Sequence, residues 1–350
     1  MNSFDLNKLI RENIRELIPY SSARDEFTGQ ARIFLDANEN AFGSPLGRPY
    51  NRYPDPLQAE LKKAISRIKA VPAERIFLGN GSDEAIDILF RAFCRPGKDN
   101  VITLPPTYGM YEVSARINDV EVRKAPLTPD FQPDLEGIAR HIDENTRVIF
   151  ICSPNNPTGN SIQREAIETI LNNFGGLVVI DEAYINYSRH RSFIQELNEY
   201  PNLVILQTLS KAWGLAGLRI GMTFASEAII GIFNKVKPPY NISEASQQLA
   251  LEAMNNLEQV NGWIRQVTAE RESLGTALQK LSFVDKVYPS DANFLLVRTA
   301  DPRGIYQHLI KEGIVVRDRS KVELCEGCLR ITIGTPEENK ELMDALLKMP

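Results

Sequence analysis

The chain has 350 residues, 43% hydrophobic and 24% charged, and 40 Lys and Arg against 45 Asp and Glu leave a net charge of −5. That length calls for a large domain with a smaller companion rather than one small core. The charge balance excludes the basic stripe of a nucleic-acid binder, and no apolar run approaches the roughly 18 residues that would suggest a membrane span.

In chain order, Phe4, Leu6, Leu9, Ile10, Ile14, Leu17 and Ile18 alternate with Asp5, Lys8, Arg11, Glu12 and Arg15. This predicts an amphipathic opening helix rather than a secretion signal, and a cytoplasmic location. The rest of residues 1–45 is irregular and is expected to pack as an arm on the C-terminal part. From Leu57 onward, helical and strand patterns alternate. Leu57, Leu61, Ala64, Ile65 and Ile68 mark one helical face, and Ile86, Leu89, Phe90 and Phe93 another. Short strands are expected at 75–79, 101–104 and 120–123. Continuous apolar runs at 148–152, 177–180 and 203–206 read as strands buried on both faces. Residues 46–245 therefore form an α/β domain with a mostly parallel sheet. A long helical stretch then runs toward Lys280, followed by strands at 294–297, 314–316 and 329–333. This predicts a smaller α+β domain over 246–350, completed by the arm, so that both chain ends build it.

Of the four cysteines, Cys94, Cys152, Cys325 and Cys328, most lie in or beside apolar runs and read as small core residues. Cys325-Glu-Gly-Cys328 has the spacing of half a zinc site, but no second pair accompanies it, so no metal is expected. His141, His190 and His308 stand far apart and are read as surface or structural residues.

The polar residues of interest follow the apolar runs. Asn155-Asn156-Pro157-Thr158-Gly159 comes after the first, Asp181-Glu182-Ala183-Tyr184 after the second, and Ser210-Lys211 after the third. In open α/β sheets, ligands bind outside the carboxyl ends of the strands. Each residue alone would read as a turn, a cap or a solvated surface group. An amide, a carboxylate and an amine at three successive strand ends predict one crevice. Gly79-Asn-Gly81-Ser82-Asp83-Glu84 sits between a strand and a helix and suits a phosphate at the helix start. The dinucleotide fingerprint of a nicotinamide oxidoreductase is disfavoured there, because Glu84 replaces the third glycine and no acidic residue ends the next strand. A plain helix capped by Ser82 is the simpler alternative.

Ser210-Lys211-Ala-Trp-Gly-Leu-Ala-Gly-Leu-Arg219-Ile-Gly221, with the Asn156 and Asp181 motifs before it, resembles the cofactor segment of the aspartate-aminotransferase-like (fold-type I) enzymes. The resemblance covers nearly the whole chain. It implies pyridoxal 5′-phosphate bound to Lys211, Asp181 on the pyridine nitrogen, and Asn156 and Tyr184 on the ring oxygen. It further implies Tyr108 against the ring, and the phosphate between Ser82, Asp83, Ser210 and Arg219. The freed Lys211 would be the proton shuttle.

Pro19-Tyr20, the Leu35–Asn40 segment, Arg52-Tyr53-Pro54-Asp55-Pro56, Gly313-Ile-Val-Val-Arg317-Asp318 and Cys328-Leu-Arg330-Ile-Thr-Ile-Gly334 resemble one branch, the histidinol-phosphate aminotransferases. Ala41 departs from the proline common there. The branch implies transamination between L-histidinol phosphate and 2-oxoglutarate, with Arg330 as the shared anion anchor and Arg317 as its helper. Tyr20 would close over the substrate, and Tyr53 would reach the cofactor phosphate of the other subunit in a homodimer. A threonine-phosphate decarboxylase or an aromatic aminotransferase would share Lys211, Asp181 and Arg219.

Overall fold

The structure is a computed structural model, and it describes residues 4–20 and 32–349. Its centre is a seven-stranded sheet. In chain order the strands are β1 (Ile76–Asn80), β2 (Asn100–Thr103), β3 (Glu121–Lys124), β4 (Thr146–Cys152), β5 (Leu177–Asp181), β6 (Leu203–Thr208) and β7 (Ile220–Phe224), and in space they run β1-β7-β6-β5-β4-β2-β3. The pairs from β6 through β3 are parallel, while β7 runs antiparallel to both β6 and β1. β4, β5 and β6 are apolar along their length because helices cover both faces. Ile149, Ile151, Val178, Ile180, Leu203 and Ile205 face one core cluster, and Val148, Phe150, Leu177, Val179, Val204 and Leu206 face the other.

A second, antiparallel sheet of four strands has the order β10 (Arg317–Asp318), β11 (Cys328–Thr332), β9 (Phe294–Thr299), β8 (Val284–Val287). The helices Leu257–Leu278, Pro302–Lys311 and Pro336–Leu347 pack on it through Leu274, Leu278, Ile305, Leu309, Leu342 and Leu346. The last of these opens with a complete capping box between Thr335 and Glu338. Among the described residues no helix is long and apolar enough to cross a membrane.

Several expectations are corrected. β7 and β8 lie where no strand was expected. The strand expected at 314–316 is absent, and the pairing is confined to Arg317 and Asp318 beyond it. The helical stretch toward Lys280 is two helices, Glu244–Met254 and Leu257–Leu278, divided at Asn255 and Asn256. The opening helix is two single turns, Leu6–Leu9 and Glu12–Arg15, broken at Ile10, whose extended backbone lets its side chain join Leu9 and Ile14 in the core. These turns pack on the large sheet's helices, not on the C-terminal part. Arg11 N–H donates to the Ala92 carbonyl at 3.0 Å and its guanidinium to the Arg91 carbonyl at 2.8 Å. Leu9, Ile10 and Ile14 are buried in the core cluster that contains Phe90 and Phe93, so the described start of the arm packs with the large sheet's helices.

Candidate active site

Because β4, β5 and β6 are parallel neighbours, their carboxyl ends fall side by side. Asn156 leaves the end of β4, Asp181 is the last residue of β5, and Ser210 and Lys211 follow β6. These residues line one pocket with Ser82, Asp83, Tyr108, Tyr184, Thr208 and Arg219, as the three strand ends predicted. The neighbouring Asn155 is buried and serves the loop instead. Its amide donates to the Pro106 carbonyl at 2.8 Å and to Thr158 Oγ1 at 2.7 Å, which leaves Asn156 to face the pocket.

Asp181 is buried, and its carboxylate is held from two sides. Tyr111 Oη donates to Oδ2 at 2.7 Å, and the Ala183 N–H donates to Oδ1 at 3.1 Å. Burial raises the proton affinity of this carboxyl, and the two donors oppose that rise. Tyr111 was not foreseen as a site residue. Its ring is buried, stacks on Phe150 at 4.7 Å between centroids, and fits the apolar pattern of the helix Met110–Ile117. Only the three-residue spacing from Tyr108 hinted that both could reach the same place.

Lys211 opens to the pocket mouth with Nζ 5.6 Å from the Tyr184 ring centroid. Lost hydration, and then the nearby Arg330 charge, hold its amine below the ordinary lysine value. A larger neutral fraction at physiological pH suits an amine that must attack or accept a proton. Tyr184 and Tyr108 are pushed the other way by burial, so both phenols stay protonated donors.

The opposite end of the pocket is built for an anion. The helix Ser82–Phe93 starts there, and its N-cap, Gly81, offers no side-chain cap. Ser82 does not cap it either, since its hydroxyl turns to the Gln207 carbonyl at 3.3 Å. Among the described residues, no side chain caps the first N–H groups of this twelve-residue helix at the pocket. Gly81 is favoured by its φ of +73°, and a β-carbon there would displace the Arg219 guanidinium. Gly221 lets β7 pass against the Gly81-Ser82 backbone, which any side chain at 221 would strike. Arg219 itself adopts a left-handed conformation, φ +55°, that returns the chain into β7 and brings its guanidinium to 3.7 Å from Asp83. Tyr108 Oη donates to the other Asp83 oxygen at 3.1 Å.

This turn does not belong to a dinucleotide-binding unit, which needs a parallel strand-helix-strand arrangement. β1 is antiparallel to its neighbour β7. Glu84, at the place of the missing glycine, accepts from the Asn80 N–H at 2.5 Å and from the Asn241 amide at 3.1 Å, bracing the turn from behind.

The remaining expected residues divide. Arg330 on β11 reaches the site: its guanidinium donates to Asn156 Oδ1 at 2.6 Å and lies 5.3 Å from the Phe294 ring, which meets Tyr184 edge-on at 5.2 Å. Arg317 sits opposite Arg330 in the β10–β11 register and is exposed. Tyr53 is half-exposed and stacks on Tyr240 at 4.6 Å, away from the pocket lining. Tyr20 lies in a separate cleft with Pro19, Leu57, Lys235 and Pro239. Within one chain Arg330 meets the pocket through Asn156, while neither Tyr20 nor Tyr53 lines it. Cys325 and Cys328 are buried among Tyr288, Leu296 and neighbouring apolar groups, and burial pushes the Cys325 thiol up to about 12.

A family model described as aminotransferase class I and II matches residues 33–346. The chain belongs to this family. Relatives named histidinol-phosphate aminotransferase, from Parabacteroides distasonis and Cytophaga hutchinsonii, are 55% and 52% identical to it. They match over 99% and 98% of this chain and 99% of their own lengths. The solved histidinol-phosphate aminotransferase from Sinorhizobium meliloti in complex with pyridoxal-5′-phosphate superposes with a TM-score of 0.77 at 25% identity, over 89% of this chain and 88% of that one. The aminotransferase fold here is the expected fold-type I α/β architecture, with its mostly parallel seven-stranded sheet.

Proposed function

We propose that this aminotransferase carries pyridoxal 5′-phosphate and exchanges an amino group between L-histidinol phosphate and 2-oxoglutarate, giving imidazole-acetol phosphate and glutamate. The observation that carries the reading is the pairing of Asp181 with Lys211 across one pocket whose far end is an uncapped helix start. The residues fit the cofactor. Asp181 is a buried carboxylate whose own partners are a hydroxyl and an N–H, both neutral, so a protonated ring nitrogen supplies the charge it lacks.

When bound, the cofactor supplies an electron sink for the carbon that bears the substrate's amino group. Asp181 keeps the proton on the ring nitrogen. Asn156 and Tyr184 would hydrogen-bond the ring oxygen, and Tyr108 would lie against the ring. Ser82 and Asp83 offer backbone N–H groups to the phosphate, Ser210 a hydroxyl, and Arg219 a fixed charge. Lys211 would hold the cofactor through its amine and, as the free amine, would take a proton from the substrate carbon and return it. Such a positioned acid–base group contributes roughly 10²–10⁴-fold. Arg330 anchors the substrate anion, phosphate in one half-reaction and carboxylate in the other, with Arg317 beside it. Tyr20 closes over the substrate, and Tyr53 reaches the cofactor phosphate of a second subunit in a homodimer. We assign the reaction to the cytoplasm.

The deciding assay sets histidinol phosphate with 2-oxoglutarate beside phenylalanine and threonine phosphate, reading glutamate and carbon dioxide. Glutamate-linked turnover of histidinol phosphate above the others is expected, and carbon dioxide from threonine phosphate would sink the reading. Lys211→Ala should lose both turnover and the yellow absorbance. Retention of both would remove Lys211 from its role.

A further inference from the structure

Arg317 and Arg330 face each other across the β10–β11 ribbon, and a further guanidinium follows two residues on. The Arg319 N–H donates to the Cys328 carbonyl at 2.9 Å, so the pairing continues one step past β10. By the two-residue period of an extended chain, Arg319 then shares a ribbon face with Arg317. Asp318, the carboxylate between them, is turned to Ser320, accepting from its N–H at 2.8 Å and its hydroxyl at 2.5 Å. The Nε atoms of Arg319 and Arg330 are both buried without a hydrogen-bond partner among the described residues. Burial foremost, then Arg317, weakens the hold of Arg319 on its proton. Burial does the same to Arg330, with Arg319 and Arg317 adding to it. Arg330 donates to Asn156 Oδ1 at 2.6 Å, and Asn156 lines the pocket, which ties the group to it.

Three cations in such a cluster repel one another until an anion joins them. A carboxylate neutralises one. A phosphate monoester, near −2 at neutral pH, neutralises two and brings three acceptor oxygens for guanidinium donors. We propose that Arg319 is a third guanidinium of the substrate's phosphate site and sets the preference for phosphorylated amines over carboxylate donors. This rests on the reading of the pocket as a histidinol-phosphate site. It assigns to Arg319 the discrimination that Arg330, shared by both half-reactions, does not provide.

The test follows each half-reaction of the holoenzyme separately by its absorbance change. Arg319→Gln should lower kcat/KM for histidinol phosphate roughly tenfold, the scale of one charged hydrogen bond, and leave that for glutamate within about twofold. Competitive inhibition by inorganic phosphate should weaken in parallel. Arg319→Lys, which keeps the charge without the fork, should fall between the two. Equal losses for glutamate and histidinol phosphate in both variants, or no loss in either, would overturn the assignment. If the wild-type enzyme itself ignores histidinol phosphate, the functional reading fails and the assignment falls with it. If the wild-type enzyme accepts it and Arg319→Gln shows no selectivity, only the assignment fails.

Discussion

The strand-tip pocket and the stretch from residue 33 to residue 57 are built on opposite terms. At the pocket, the key groups are held by the same chain: Asp181 by Tyr111 and Ala183, Asn156 by Arg330, Asp83 by Tyr108 and Arg219. Along the other stretch, Ile33, Leu35, Phe42, Leu46, Tyr53 and Leu57 turn apolar surface outward. Yet that surface has a fixed shape, because the buried Glu39 carboxylate grips both Arg52 and the Tyr53 N–H. A pinned apolar stretch fits a surface that another molecule covers. The contrast separates the chemistry, which one chain organises alone, from the closure of the site, which we assign to a second copy.

The sharpest way to break this contrast is at Asp181. Asp181→Asn should cut turnover by at least about a hundredfold in steady-state kinetics, the scale of losing one preorganised electrostatic contact. The same change should help the cofactor-free protein. Burial lifts this carboxyl above the ordinary range, so its protonated form favours folding. That contribution is complete below the unfolded value, about pH 4, and is lost as pH rises through the folded value. Urea unfolding of the cofactor-free variant should therefore fall less steeply with pH than that of the wild type. Parallel curves would show that burial does not govern this group.

Mixing tests the other half of the contrast. Lys211→Ala and Tyr53→Ala chains, each weak alone, should recover about a quarter of wild-type activity after denaturing and refolding together, because half the dimers are mixed and carry one intact site of two. No recovery would mean that each chain uses its own Tyr53. Gly221→Ala should destabilise the protein by about 1–3 kcal/mol in denaturant unfolding, since its methyl group strikes the Gly81-Ser82 backbone. The smallest expected effect is that of Tyr111→Phe. Removing the 2.7 Å donor should weaken cofactor retention roughly tenfold and shift the pH midpoint of its absorbance, with thermal stability nearly kept. An unmoved midpoint would leave Tyr111 as packing alone.

The legible parts of the sequence were those where one physical demand acted alone. β4, β5 and β6 are buried on both faces, so their apolar runs announced them and their ends marked the pocket. β7 was hidden because it starts directly after Arg219, inside the segment read for its glycines and its cation. β8, Val-Asp-Lys-Val, is too short to show a period. Tyr111 satisfied a helix's apolar face and a carboxylate at once, and sequence pattern reports only the first. The opening segment misled for a related reason. Its apolar residues fit one helix, but Ile10 leaves the helix with an extended backbone and is buried in the core cluster that also holds Phe90 and Phe93.

One feature of the large sheet has a practical reach. β7 is the strand that reverses direction, and the loop entering it carries both Lys211 and Arg219. The span between Lys211 and Arg219, the proposed amine and the proposed clamp on a coenzyme's phosphate, is thus a ruler cut from one hairpin, indifferent to how the two sheets are joined. Redesign of the β10–β11 ribbon to admit new side groups can proceed without resetting that ruler.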